Sequence, residues 1–192
     1  MSDHGMFTSD DHIGDVQIPL DKANLHMQPT QYIMKIRPNK KLATEKKFRG
    51  EIQVSLCYDQ RFGKLTVNIK QCRNLKPIDG SSGSCDPYVK LLILYHGRRI
   101  EKRKTEPKVK EVNPVYDEKI DVDVPVNRVR DYMLVFQVMQ YDNILNNRPI
   151  GEVSIGYRTS GAAQKQWTDM LTQPKLPIVV WHTLGNVHKY HK

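Results

Sequence analysis

Basic side chains are concentrated in one short segment of this chain. Between positions 98 and 110, seven basic residues stand against two acidic ones, Glu101 and Glu106. The basic residues are Arg98, Arg99, Lys102, Arg103, Lys104, Lys108 and Lys110. Side chains alternate along a strand, so several of these should share the face away from Ile100, which we expect to point inward. Each Lys or Arg near an anionic surface adds about 1 kcal/mol. The segment therefore predicts a phosphate-binding surface, and the alternative is a plain solvated basic face.

Catalytic chemistry has no support in the residue pattern. His26, His96 and His182 have no neighbouring acid or nucleophile in a recognisable motif, and no Gly-rich phosphate loop occurs. The three cysteines fit neither a disulfide framework nor a zinc spacing. We therefore expect a non-enzymatic protein with free thiols in a reducing compartment.

The composition is that of a globular protein. The 192 residues are 39% hydrophobic and 27% charged, enough for one well-cored domain and extra segments. A formal net charge of +9 favours polyanionic partners. Nucleic acid ranks low among them, because aromatic residues are not interleaved in the basic run. No stretch approaches the 18 consecutive apolar residues that predict a membrane span. We expect a cytoplasmic protein, or a piece of something larger.

Period-two alternation of apolar and polar residues dominates after position 50. Ile52, Val54 and Leu56 alternate with polar neighbours, as in a half-buried strand. Further strands are predicted at 64–70, 88–95, within 98–110, around 120–124, and at 133–139, 150–157 and 178–184. Seven or eight short strands separated by Gly, Pro and Asp turns predict an antiparallel β-sandwich.

One helix is predicted at 162–171. Ala163, Trp167, Met170 and Leu171 recur at spacings of three and four, which puts them on one face. Pro174 should end it.

The first 49 residues differ from the rest. Segments 13–20 and 32–36 look like strands, and 38–47 is basic and polar like a linker. Two strands cannot make an independent core.

Several motifs in collinear order resemble those of synaptotagmin C2 domains. Residues 84–90 (SCDPYVK) resemble the S-D-P-Y-V-K signature, and 113–118 (NPVYDE) resemble the turn that family carries. Residues 181–184 (WHTL) match the ending of the second, membrane-distal C2 domain, whose extra helix falls where our helix is predicted. The resemblance implies an all-β, eight-stranded antiparallel C2 β-sandwich with a short extra helix near the C-terminus.

The resemblance also implies a domain order. Residues 10–20 are similar to the third loop and last strands of a first C2 domain. We therefore expect a C-terminal remnant of a first C2 domain at 1–36 and a basic linker at 37–49. A complete C2 domain at 50–186 and a tail at 187–192 would follow.

A C2 domain of this family holds calcium through five acidic positions in two loops. By resemblance, Asp79, Asp86 and Asp142 fill three of them, while Gln140 and Arg148 replace the other two. Calcium needs six to eight oxygen ligands, and Arg148 would repel it. We expect calcium binding to be weak or absent.

Two further surfaces follow from the resemblance. Ile144 and Leu145 fall at the tip of a calcium loop, where they could enter the headgroup region of a membrane or pack within the loop. Lys102, Arg103 and Lys104 match the lysine-rich core of a polybasic strand. The predicted lipid- or partner-binding strand comprises Arg99, Lys102, Arg103, Lys104, Lys108 and Lys110.

These features predict a peripheral membrane module in vesicle trafficking and exocytosis. It would bind anionic phospholipids, phosphoinositides above all, and SNARE or other trafficking proteins, with little calcium dependence. One alternative is a calcium-dependent phospholipid sensor with a weakened site. Another is a scaffold that contacts proteins alone, through the WHTL end and the helix.

Overall fold

The computed structural model describes residues 2–3, 11–12, 48–78, 85–142 and 147–190. The chain divides into two compact units, Met1–Lys47 and Phe48–Lys192. In the first unit, the two-residue strands Ser2–Asp3 and Asp11–His12 pair antiparallel. The strands predicted at 13–20 and 32–36 lie outside the described residues.

The described part of the second unit contains eight strands and one α-helix, which confirms the predicted fold class. The strands are β1 (Glu51–Asp59), β2 (Lys64–Arg73), β3 (Pro87–Tyr95), β4 (Arg98–Lys104), β5 (Val115–Asp123), β6 (Tyr132–Gln140), β7 (Arg148–Gly156) and β8 (Ile178–Thr183). The helix α1 spans Gly161–Thr172, and a short 3-10 turn spans Val129–Asp131. One sheet has the order β8-β1-β2-β5 and the other β4-β3-β6-β7, with all pairings antiparallel.

The core lies between the two sheets and follows from strand alternation. Ile52, Val54 and Leu56 of β1 are fully buried, as are Leu91 and Ile93 of β3. Each set comes from every second residue of its strand, so its members point to one face. Burying such side chains is the main favourable term in folding, worth about 1.5–3 kcal/mol each.

Helix α1 covers one side of the core through its apolar face. Trp167 and Met170 are buried, and Ala163 and Leu171 pack against the same cluster, as the spacing predicts. The side chain of Gln166 is fully buried too. Its Nε2 donates to the carbonyls of Val54 at 2.9 Å and Ile178 at 2.8 Å, tying the helix to β1 and β8. Among the described residues, no helix combines the length and hydropathy needed to cross a membrane.

His182 completes this buried polar link. Because both Nε2 hydrogens of Gln166 go to carbonyls, its Oε1 must accept, and it lies 2.7 Å from Nε2 of His182. His182 therefore carries a hydrogen on Nε2. Burial lowers the pKa of His182 below its ordinary 6.5, because a charged imidazole is poorly solvated there.

This burial predicts an acid-sensitive fold. In the unfolded chain His182 binds a proton more readily than in the folded chain. The stability that neutral His182 contributes to the fold is therefore present above pH 6.5 and is lost progressively as pH falls below it. We expect the Tm of the wild type to drop over this range, and the drop to shrink in His182→Gln, which retains a donor. Calorimetry across that pH range measures both. His96→Ala, which removes an exposed imidazole, is the control, and equal pH slopes in wild type and His182→Gln would contradict the assignment.

Candidate functional site

The pairing of β3 with β4 decides which basic side chains share a face. Lys90 lies opposite Lys104, and Leu92 lies opposite Lys102. Glu101 pairs with Ile93 in the same register. The register then shifts, so that Arg99 pairs with Leu94 and Ile100 is left as an extra residue. Such a bulge interrupts the alternation of side chains along the strand.

Ile100 is therefore not an inward residue, and that expectation was wrong. It is 54% exposed, because β4 is the last strand of its sheet and the bulge turns Ile100 out of the pleat. The bulge also lets Arg99 share a face with Lys102 and Lys104, although strict alternation would put Arg99 opposite to them.

Four cations project from the outer face of this sheet. Val89 and Leu91 point into the core, so Lys90 between them points outward, and its partner Lys104 does the same. Lys102 shares this side with Leu92, and Arg99 with Leu94. We call Lys90, Arg99, Lys102 and Lys104 the basic face.

The cations of the basic face affect the protonation of Lys90. Partial burial lowers the pKa of Lys90, and the charges of Lys104, Lys102 and Arg99 lower it further. Lys90 is not among the predicted basic residues, because it stands alone within an apolar strand. A lone lysine between two core positions of a strand is the signal that could have found it.

The other predicted basic residues lie elsewhere. Arg103 pairs opposite the inward-facing Leu91 and forms an ion pair with Glu101. The Nζ of Lys108 lies 5.9 Å from the ring centre of Tyr116, and Lys110 belongs to the following turn. The six predicted residues thus form no single surface, and Arg99, Lys102 and Lys104 are the three that the fold groups together.

Three loops meet at one end of the sandwich, where the calcium positions were predicted. The Tyr141 N–H donates to the carbonyl of Asp86 at 2.8 Å, and the Ile78 N–H donates to Oε1 of Gln140 at 3.3 Å. Oδ1 of Asp86 accepts from the Lys110 N–H at 2.7 Å, where Lys110 has a φ of 52° in the left-handed region. Asp86 therefore fixes a turn, whether or not a metal binds.

Two of the predicted calcium ligands, Asp86 and Asp142, lie among the described residues of this loop end. Asp142 begins the last loop, and its N–H donates to Oδ1 of Asn147 at 2.9 Å. Arg148, the first residue of β7, pairs with Gln140, the last residue of β6, so the two substituted ligand positions are neighbours across the sheet. In residues 48–78, 85–142 and 147–190, no group of three or more His, Cys, Asp or Glu could hold a metal.

Three predicted site residues fall outside the described residues. These are Asp79 of the first calcium loop and the loop-tip pair Ile144 and Leu145. Their proposed roles as ligand and membrane anchors stay predictions.

Comparison with known proteins assigns this architecture to a family. A family model described as the C2 domain matches residues 1–34 and 63–170, well over half of the chain. The chain therefore belongs to the C2 domain family.

Its curated relatives narrow the assignment. The chain is 34% identical over 182 residues to synaptotagmin-7 of Mus musculus, covering 95% of this chain and 44% of that protein. It is 38% identical over 187 residues to synaptotagmin-1 of Caenorhabditis elegans, covering 97% and 42%. These relatives identify it as a synaptotagmin-type C2 protein, and the chain spans less than half the length of either.

Solved structures support the fold. The solution structure of the third C2 domain of KIAA1228 protein matches with a TM-score of 0.58 and 26% identity, covering 77% of this chain and 95% of that one. A C2 domain of RIM from Drosophila matches with a TM-score of 0.55 at 21% identity, covering 71% and 98%, which shows a shared fold.

The loop end predicts a poor response to calcium. Calorimetry with millimolar calcium should show little heat, because few carboxylates are available and Arg148 opposes the ion. Changing Gln140→Asp together with Arg148→Asp should create or strengthen binding. The matched control, Gln60→Asp with Arg61→Asp, makes the same charge change in the β1–β2 turn at the opposite end. Low-micromolar calcium binding by the wild type without lipid would overturn this expectation.

Proposed function

We propose that this C2 domain docks on anionic membranes through its basic face and binds phosphoinositide headgroups there without needing calcium. The observation that carries the proposal is the convergence of Lys90, Arg99, Lys102 and Lys104 on one outer sheet face. Phospholipid binding and vesicle transport fit the synaptotagmin family, and SNARE or other trafficking proteins are further proposed partners. The module acts by binding rather than by catalysis, at the cytoplasmic surface of a membrane.

The electrostatics of the face favour an anionic ligand. Four like charges lie on neighbouring strands; burial lowers the pKa of Lys90, and the charges of Lys104, Lys102 and Arg99 lower it further. A phosphate bound between these cations attracts each of them and so offsets the repulsion between them. Lys102 and Lys104 are exposed on the last strand of the sheet, so among the described residues no element has to move for a headgroup to reach them.

The first unit has a separate proposed origin. The family model matches residues 1–34 apart from residues 63–170, which supports the interpretation of 1–36 as the end of a first C2 domain. The basic linker at 37–49 and the complete domain at 50–186 belong to the same proposal.

Charge removal on the basic face tests the proposed function. The double variant Lys102→Ala, Lys104→Ala should lose about 2 kcal/mol, or roughly thirty-fold in affinity, for vesicles carrying phosphatidylinositol bisphosphate. Its Tm should stay close to that of the wild type, since exposed charges contribute little stability. Co-sedimentation in the presence of a calcium chelator measures the affinity.

The structure offers a matched control for this experiment. Arg103→Ala with Lys119→Ala also removes two cations, but Arg103 is paired with Glu101, and Lys119 lies on β5 in the opposite sheet. This control should bind nearly as well as the wild type. If both double variants bind as the wild type does, the membrane proposal fails and a protein scaffold becomes the better account.

Ionic strength gives an independent prediction. Because the attraction is Coulombic, raising salt from about 0.1 M to about 1 M shortens the Debye length from roughly 10 Å to roughly 3 Å. Wild-type binding to these vesicles should weaken steeply, and the Lys102→Ala, Lys104→Ala variant should respond less. Salt-insensitive binding, measured by the same co-sedimentation, would indicate insertion of apolar residues instead.

A further inference from the structure

The chain returns to the basic sheet after its last strand. The Gly185 N–H donates to the carbonyl of Glu152 at 2.8 Å, and the Glu152 N–H donates to the carbonyl of Gly185 at 3.2 Å. This bridge joins the chain to β7. Residues 186–190, which we call the tail, then cross the outer face of the sheet that carries the basic face.

The tail is anchored at a buried carboxylate. Glu152 is only 4% exposed, and its Oε1 accepts a hydrogen bond from the Tyr190 hydroxyl at 2.8 Å and lies 2.6 Å from Nδ1 of His188. Gln137 donates from Nε2 to Oε2 of Glu152 at 3.0 Å and to the carbonyl of His188 at 3.3 Å. These contacts shield the carboxylate that lies in the same row of side chains as Lys90 and Lys104.

Apolar packing adds a second anchor. Leu92, Leu94 and Val135 form a buried cluster on this outer face, and Tyr190 packs against it. The ring of Tyr190 therefore covers apolar surface while its hydroxyl reaches Glu152. Two kinds of contact thus fix the tail at one place on the sheet.

A pocket of about 350 Å³ lies between the tail and the basic face. Lys90, Arg99 and Lys102 line it from the sheet, and His188 and Lys189 line it from the tail. Small-molecule sites occupy about 300–1,000 Å³, so the pocket suits a compact ligand rather than an extended chain. Basic side chains on both sides restrict that ligand to a dense anion.

We propose that the tail is the second wall of a headgroup pocket, in which Lys189 and His188 bind the same polyphosphorylated polyol as the basic face. This inference rests on the proposed function and extends it from a charged surface to a defined site. Among the described residues, the hydrogen bonds between the tail and this sheet involve Glu152, Gln137 and Ser154, and none involves the four cations. The tail thus leaves the cations available to a ligand.

The test uses the full chain and soluble inositol trisphosphate, measured by calorimetry. Lys189→Ala leaves both anchors in place and should weaken binding about fivefold, the loss expected for one cation. The matched control Lys119→Ala removes one cation from the opposite sheet and should change nothing. In the wild type, the ligand should slow hydrogen exchange at the amides of 188–190.

A second variant tests the anchor. His188→Ala with Tyr190→Ala frees the tail, so the trisphosphate should bind at least fivefold more weakly, a loss of about 1 kcal/mol or more. Equal binding of the trisphosphate by wild type and Lys189→Ala would show that the tail is not part of the site. Tighter binding by His188→Ala with Tyr190→Ala would also refute the proposal, because the tail would then obstruct the site. If either result is found while vesicle binding still depends on Lys102 and Lys104, only the role of the tail is refuted and the membrane proposal is retained. If the wild type does not bind vesicles, or binds them without depending on those lysines, the proposed function itself fails.

Discussion

Strand alternation in β3 and β4, together with the bulge at Ile100, determines which charges of this surface can act together. The core needs Leu91 and Ile93 of β3 inside, and that requirement turns Lys90 outward. Because Lys104 of β4 pairs with Lys90, its side chain lies on the same side of the sheet as that of Lys90. The bulge at Ile100 shifts the alternation of β4 by one residue, so that the side chain of Arg99 lies on the same side as those of Lys102 and Lys104. The basic face is therefore a product of core packing and register more than of local composition.

The stability of the sandwich comes from elements other than the basic face. The core between the sheets and the buried Gln166 link to two carbonyls stabilise the sandwich without help from the basic face. This division leaves β4 free to carry several cations, since exposed charges contribute little to stability. At the loop end, in contrast, a predicted binding residue has a structural role: Asp86 accepts a hydrogen bond from the Lys110 N–H and stabilises the turn there.

Much of this fold could be predicted from sequence, because alternation is a local signal. The strands around Ile52, Leu91 and Phe136 and the helix around Trp167 follow from spacing alone. The bulge at Ile100 could not be predicted, since it exists only in the pairing of β4 with β3. The tail anchor could not either, because Glu152 and His188 are 36 positions apart and meet only in the folded chain. The calcium positions came from resemblance, which gives the residue types but not the hydrogen bonds they make.

The position of β4 at the end of its sheet has a consequence for how copies of this domain meet. An end strand presents unpaired backbone groups that could pair with the same strand of another molecule. Here that strand carries Arg98, Arg99, Lys102, Arg103 and Lys104, so two such edges repel each other before their backbones approach. At the other end of the sheet, the bridge between Glu152 and Gly185 occupies part of β7. Arg99, Lys102 and Lys104 belong to both sets, so charges that would attract a phosphorylated membrane also oppose edge-to-edge pairing of crowded copies upon it.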